Sequence, residues 1–461
     1  MEDYLYDNKL EFYPFRLINV EDKNYILSGA YGAIYELDEG TISLLKNKND
    51  IQKSKIKTEI DDEELQAKLK QLEENFIIKT NKNYAKIEKI CYQKNAAENI
   101  SCLTLMICQK CNLRCRYCYG DGGEYSDSGE MSFEIASKAI DYLFNVSSSK
   151  NLSIIFFGGE PLLKFELIQD VVEYADEKAN NCDRKIRYSI TTNATLVNTE
   201  IAKFLAYNRF NVTVSIDGNE ESNNRNRYYA NGTGGFLQTI NGIKFLSEQG
   251  VHISARATVC DNNCNDIFEN LKLLLKENFC YVHFAPAANM MNLGSYDIFQ
   301  KQMKKIADYF FACIAEKKYD IALKIRNIND IVNRIHVGGI RNSHCGAGNS
   351  MLAVDIHGEL YPCHRFVSNK ETQIGTLNQG IKEEKTEQLK FSLNESQCHD
   401  CWAIVLCGGG CPYENYQENK VIEVPGVALC HVMREVYDYI LRKYLSMPEA
   451  QREEFFHLQD L

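Results

Sequence analysis

Of the 18 cysteines in this 461-residue chain, ten are packed into two groups, and these constrain the chain more than any other feature. The first group is CNLRCRYC, which sets Cys111, Cys115 and Cys118 in a C-x3-C-x2-C array. The second opens with Cys345 and Cys363. It continues through Cys398, Cys401, Cys407 and Cys411 in a C-x2-C-x5-C-x3-C array and ends at Cys430. The N-terminal stretch MEDYLYDNKLEFYPF is acidic and aromatic and lacks the basic-then-apolar pattern of an export signal. The expected location is therefore the cytoplasm, where disulfide frameworks are rare and grouped thiols point to metal or redox chemistry. The remaining cysteines, Cys91, Cys182 and Cys280 among them, are dispersed and read as buried free thiols.

Charge and hydropathy remove two partner classes. No apolar run approaches the ~20 residues needed to cross a bilayer, so no membrane is expected. A net charge of −11, with Lys and Arg scattered rather than striped, disfavours a nucleic-acid partner.

The chain divides by pattern into five parts. Residues 1–80 carry short alternating stretches (FRLINV, NYILS, AIYELD), then helical patterns at Thr41–Leu45 and Asp61–Asn75, where Leu65, Leu69 and Leu72 share one face. Strands followed by helices suggest a winged-helix-like unit. Residues 81–100 are polar and read as a linker. Residues 101–330 alternate strand and helix, with strands at CLTLMI, LSIIFF, KIRYSIT, NVTVSI, HISARATV and YVHFAPA. Six β-α units predict an α/β fold, a partial (β/α)6 barrel with its site at the C-terminal strand ends. Residues 331–445 are rich in Cys and Gly and carry a hairpin turning at His357-Gly358, a composition that usually needs metal to fold. A last helix spans roughly Val432 to Leu445, and residues 446–461 read as a tail.

A cubane iron–sulfur cluster has four irons, each normally bound by one thiolate. Cys111, Cys115 and Cys118 would leave one iron open for a ligand. A zinc site or an incomplete motif is the alternative on spacing alone. Gly158-Gly159-Glu160-Pro161 follows the second strand, Thr192-Asn193 the third, and Ser215 with Asp217-Gly218 the fourth.

Taken in order, these strand-end motifs resemble the radical S-adenosylmethionine (SAM) superfamily. The resemblance implies that the open iron is chelated by S-adenosyl-L-methionine, which one electron cleaves to a 5′-deoxyadenosyl radical. It implies that Tyr117 lies near the adenine and that Gly158, Gly159 and Glu160 meet the methionine amino group. Asn193, Ser215 and Asp217 would lie at ribose and methionine contacts, and Arg227 near the cofactor carboxylate. Arg256 is a second candidate for that carboxylate. The family often carries His-Asp where this chain has Asn223-Asn224, which puts acid–base chemistry by that pair in doubt.

The second cysteine group resembles the SPASM domain of peptide-modifying radical enzymes. That resemblance implies two auxiliary [4Fe-4S] clusters, one held by Cys398, Cys401, Cys407 and Cys430 and one by Cys345, Cys363 and Cys411. With the first cluster this makes three. A zinc ribbon is the competing reading. Seven cysteines for eight positions leave one iron open to a substrate thiolate, or to a ligand such as His344, Cys313 or water. Sulfatase maturases carry an additional cysteine where this chain has Met351 and an Asp where it has His364. Both departures count against formylglycine formation.

Residues 1–80 resemble the leader-recognition domain of ribosomal-peptide maturases. The expected protein is thus a radical SAM maturase of the sactipeptide and ranthipeptide kind. It would act on a precursor peptide with a leader, form thioether links, and take electrons from a donor such as flavodoxin or ferredoxin. The alternatives are a carbon–carbon crosslink, a formylglycine-type oxidation, or a non-catalytic zinc-binding module.

Overall fold

The computed structural model describes residues 11–46, 61–80, 83, 100–341, 343–382, 384–385 and 396–458. Apart from Asn83 and Ile100, the expected linker and its Cys91 lie outside the described residues.

The N-terminal segment folds on its own small core. Strands β1 (Phe15–Val20), β2 (Lys23–Ser28) and β3 (Ile34–Leu37) form an antiparallel sheet in that order. Helix Glu39–Lys46 starts where the Asp38 carboxylate accepts from the Thr41 N–H at 2.9 Å, a side-chain cap for an otherwise unpaired donor. Helix Asp62–Glu74 is capped in the same way by Asp61. The helical leucines Leu65, Leu69 and Leu72 are buried against Leu44, Leu45, Ile26, Ile77 and Ile78.

Six parallel strands follow: β4 (Cys102–Gln109), β6 (Asn151–Gly158), β7 (Lys185–Thr192), β8 (Asn211–Ser215), β9 (His252–Val259) and β10 (Val282–Pro286). The short β5 (Gly129–Glu130) pairs antiparallel with the end of β4. Helices such as Phe133–Val146, Phe165–Asn181, Thr199–Tyr207 and Phe236–Glu248 lie between them, as expected of right-handed crossovers. Long helices the sequence reading did not assign, Leu293–Ala315 and Arg326–Val337, follow β10. The second of these crosses the expected border at residue 330.

The cysteine-rich segment does not stand apart from the barrel. Strand β11 (Met351–Val354) pairs parallel with β4, and β12 (Glu359–Tyr361), β13 (Gly375–Thr376) and β14 (Gly380–Ile381) continue antiparallel. The hairpin at His357-Gly358 is present, and through it one sheet of 11 strands carries both cysteine groups.

The C-terminal end corrects the reading of residues 446–461 as a tail. The last long helix runs Val427–Ser446, and a further helix, Glu449–His457, buries Phe455 and Phe456. Its charged QREE run hides a pair of aromatic anchors. Arg16 on β1 bonds Asp438 at 2.8 Å and lies 5.4 Å from the Trp402 ring centre, fastening the N-terminal sheet to the C-terminal region. Among the described residues, no helix is long and apolar enough to cross a membrane.

Candidate active site

The first cysteine loop leaves the end of β4 and is held by backbone. Arg114 N donates to Tyr228 O at 2.6 Å and Arg116 N to Asn226 O at 2.9 Å. Its close approach to the end of β6 requires glycine. A Cβ on Gly159 would lie 2.2 Å from Lys110 O, and one on Gly123 would lie 2.5 Å from Cys111 Cβ. Gly158 has φ +140°, a region closed to other residues. Gly159→Ala is therefore expected to push the cysteine loop away and lower the iron content of anaerobically purified protein. Unchanged iron would contradict this.

Glu160 is fully buried and joins two strand ends. Its carboxylate accepts from Leu162 N at 3.0 Å, Thr192 Oγ1 at 2.8 Å and Asn193 N at 2.8 Å. Burial raises its carboxyl to about 7. Oε2 takes only one of these bonds, so it keeps capacity for another donor such as an ammonium. Asn193 ties β7 to the cysteine loop: its Nδ2 donates to Asn112 Oδ1 at 2.9 Å, and its Oδ1 accepts from Thr195 N at 3.0 Å.

Tyr117, Asp217 and Arg227 form one buried unit. Asp217 Oδ1 accepts from Arg227 Nη2 at 3.0 Å and from Thr258 N at 3.0 Å, while Oδ2 accepts from the Tyr117 hydroxyl. The guanidinium lies 5.3 Å from the Tyr117 ring centre. Burial works against the charge of Arg227, but Asp217 beside it raises its pKa. Asn223 Oδ1 accepts from Asp217 N at 3.2 Å and Asn224 Oδ1 from Phe236 N at 3.0 Å. Both amides thus brace backbone. Ser215 ends β8, in register with Arg256 on β9.

These residues fit a cluster with a polar cofactor. Arg227 Nε, Asn223 Nδ2 and Asn226 Nδ2 are buried donors without a hydrogen-bond partner among the described residues. Each such donor costs about 1–3 kcal/mol unless a ligand accepts from it. Burial pushes the Cys111 thiol up to about 12 and Cys115 up to about 11, and neighbouring thiols add to this. Coordination to a metal reverses that preference and favours thiolate. Among the described residues, no three His, Cys, Asp or Glu side chains converge tightly enough for a single metal ion. A cubane instead asks each thiolate to reach a different iron.

The second group falls into two sets of neighbours. Burial raises Cys363 to about 12, with Cys411 and Cys345 contributing. Burial likewise raises Cys398 to about 12, with Cys407, Cys401 and Cys430 contributing. The fold therefore brings the seven cysteines together as three and four. Cys313 is buried in helix Leu293–Ala315 beside Tyr309, with neither set among its charged neighbours. His344 Nδ1 lies 2.9 Å from Cys407 O, an acceptor, so Nδ1 carries the proton. His364 lies 4.2 Å from the Phe157 ring centre and is held neutral, burial lowering it to about 3.

Residues 105–274 match the sequence profile of the Radical SAM superfamily. That segment is a Radical SAM domain. The chain is 26% identical to the cysteine-type anaerobic sulfatase-maturating enzyme of Clostridium novyi, over 76% of its own length and 96% of that protein. It is 24% identical to the radical SAM cyclopropyl synthase TigE of Paramaledivibacter caminithermalis, over 86% of its own length and 87% of TigE. Its fold superposes with a TM-score of 0.65 on native anSMEcpe with bound AdoMet and Kp18Cys peptide, at 23% identity, covering 75% of this chain and 98% of that one.

Several residues beside the two cysteine groups escaped the sequence reading. Tyr119 counts both Cys118 and Cys363 among its charged neighbours, so it lies between the first and second groups. Arg365 donates to Cys411 Sγ at 3.5 Å, pairs with Glu414 at 2.5 Å and lies 4.2 Å from the Tyr413 ring centre. Tyr119 directly follows Cys118, and Arg365 stands two residues after Cys363. That adjacency was the available signal. Arg256 does not join the Arg227 unit: its titratable neighbours include Arg365, Tyr119, Cys411 and Tyr281.

Proposed function

We propose that this radical SAM chain is a peptide maturase that joins the sulfur of a peptide cysteine to a carbon activated by hydrogen abstraction. The observation that carries the reading is the set Cys345, Cys363 and Cys411, which offers three thiols where a cubane has four irons. The position left over suits a substrate thiolate, and Tyr119 neighbours both Cys363 of that set and Cys118. When bound, S-adenosyl-L-methionine and three [4Fe-4S] clusters would supply a 5′-deoxyadenosyl radical and a sink for the surplus electron.

The protein's own part is placement. Cys111, Cys115 and Cys118 would hold the first cluster. Glu160, with its free lone pair, would orient an ammonium, and the donors of Arg227, Asn223 and Asn226 would take the cofactor's acceptors. Cys398, Cys401, Cys407 and Cys430 would hold the remaining auxiliary cluster. Residues 1–80 would dock a leader peptide on the β1–β3 sheet, and flavodoxin or ferredoxin would deliver electrons.

The test is anaerobic co-expression with a precursor peptide, followed by mass spectrometry. The expected product has lost two hydrogens per link and resists thiol alkylation. A modified peptide whose thiols all still alkylate would overturn the thioether reading. Carbon–carbon bond formation is the second reading, favoured by similarity to a cyclopropyl synthase over 86% of the chain. Formylglycine formation has less support: neutral His364 and Met351 stand where sulfatase maturases carry an Asp and a Cys.

A further inference from the structure

The space between the two cysteine groups contains a guanidinium with no counter-charge. Along β9, Ala255, Ala257 and Val259 face the hydrophobic core, and Arg256 alternates to the other side of the sheet. Its Nη1 lies 3.5 Å from His283 Nδ1 on β10, and its titratable neighbours include the like-charged Arg365, the phenol Tyr119 and Cys411. Three nearby guanidinia are paired with carboxylates, Arg227 with Asp217 at 3.0 Å, Arg326 with Asp330 at 2.8 Å and Arg365 with Glu414 at 2.5 Å, while Arg341, beside Cys345 and Cys407, spends its donors on the backbone carbonyls of Ser343, Leu406 and His344. Among the described residues, no carboxylate lies within ion-pair distance of Arg256.

His283 does not balance it. Burial, with Arg256 beside it, lowers the imidazole to about 3, so it is neutral, with Nδ1 the acceptor that faces Arg256 and the proton on Nε2. Arg256 nevertheless keeps a water-accessible face. A cation beside the like charge of Arg365, exposed to solvent and without a carboxylate partner, favours an anion arriving from outside the chain.

The cofactor carboxylate is one such anion, but the buried unit built for it surrounds Arg227, with Tyr117 and Cys115. Arg256 stands instead beside Cys411, in the three-thiol set. We infer that Arg256 binds the side-chain carboxylate of an Asp or Glu in the peptide substrate, and so selects acidic residues near the reacting carbon. This rests on the peptide-maturase reading.

The test uses anaerobic holoenzyme with dithionite and the precursor peptide, each Asp and Glu of which is changed singly to Asn or Gln. Arg256→Gln is expected to keep its iron, its S-adenosylmethionine affinity and its peptide-free deoxyadenosine formation. It should lose peptide modification by about tenfold or more, the effect of truncating one partner of an enclosed charge pair. One amide-substituted peptide should reproduce that loss in the wild-type enzyme and cause no further loss in Arg256→Gln. Arg256→Lys should recover part of the activity. Weakened cofactor affinity would assign Arg256 to the cofactor, and lost iron would assign it to cluster charge; either overturns the inference. Full activity on every amide peptide also overturns it, while leaving the maturase reading intact. Wild-type enzyme that cleaves cofactor yet modifies no peptide removes the maturase reading itself.

Discussion

Alanine at Cys111, Cys115 and Cys118 together is expected to abolish deoxyadenosine formation and to lower the iron content by about four per chain, the content of one cubane. The loop they occupy is fixed by backbone bonds to Tyr228 and Asn226 and by glycine contacts at Gly123 and Gly159, so the fold does not depend on the thiols alone. The variant should keep the iron of the second group, because Cys345 through Cys430 lie in different sets. Iron analysis and anaerobic turnover with dithionite check both halves. Persistent deoxyadenosine formation would remove the assignment of this loop as the cofactor-cleaving site.

Asp217→Ala is expected to cost about 3–5 kcal/mol, the range for leaving one member of a buried ion pair alone. Arg227 and Asp217 are 7% and 0% exposed, so water does not replace the lost partner. The same change frees the Tyr117 hydroxyl and Thr258 N. Cofactor affinity should fall with stability, since Arg227 and Tyr117 would no longer be held beside Cys115. Anaerobic thermal unfolding and equilibrium dialysis with S-adenosylmethionine read the two effects. An unchanged melting temperature would show that Asp217 does not anchor the unit.

Much of the barrel was legible because its strands are bounded apolar runs between amphipathic helices, and each motif sits where a strand ends. The six expected strands all form. The terminal helix Glu449–His457 was not legible, because its charged run masks Phe455 and Phe456 until packing partners are known. The pairing of β11 with β4, which joins the cysteine-rich segment to the barrel sheet, was not legible either: it is non-local and leaves no periodicity in either segment.

The sequence by itself determined the chemistry on offer: thiol spacing limits which metal centres can form, and the glycine and acid motifs mark strand ends. Tertiary structure decided which groups share a neighbourhood. Cys363 meets Cys411 across 48 positions that include the described helix Ile404–Cys407, Tyr117 meets Asp217 across a separation of 100 residues, and Arg256 lies nearer Arg365 than the Arg227 unit. Proximity of this kind arises from sheet register and helix packing, which are properties of the whole chain and cannot be read from any one segment.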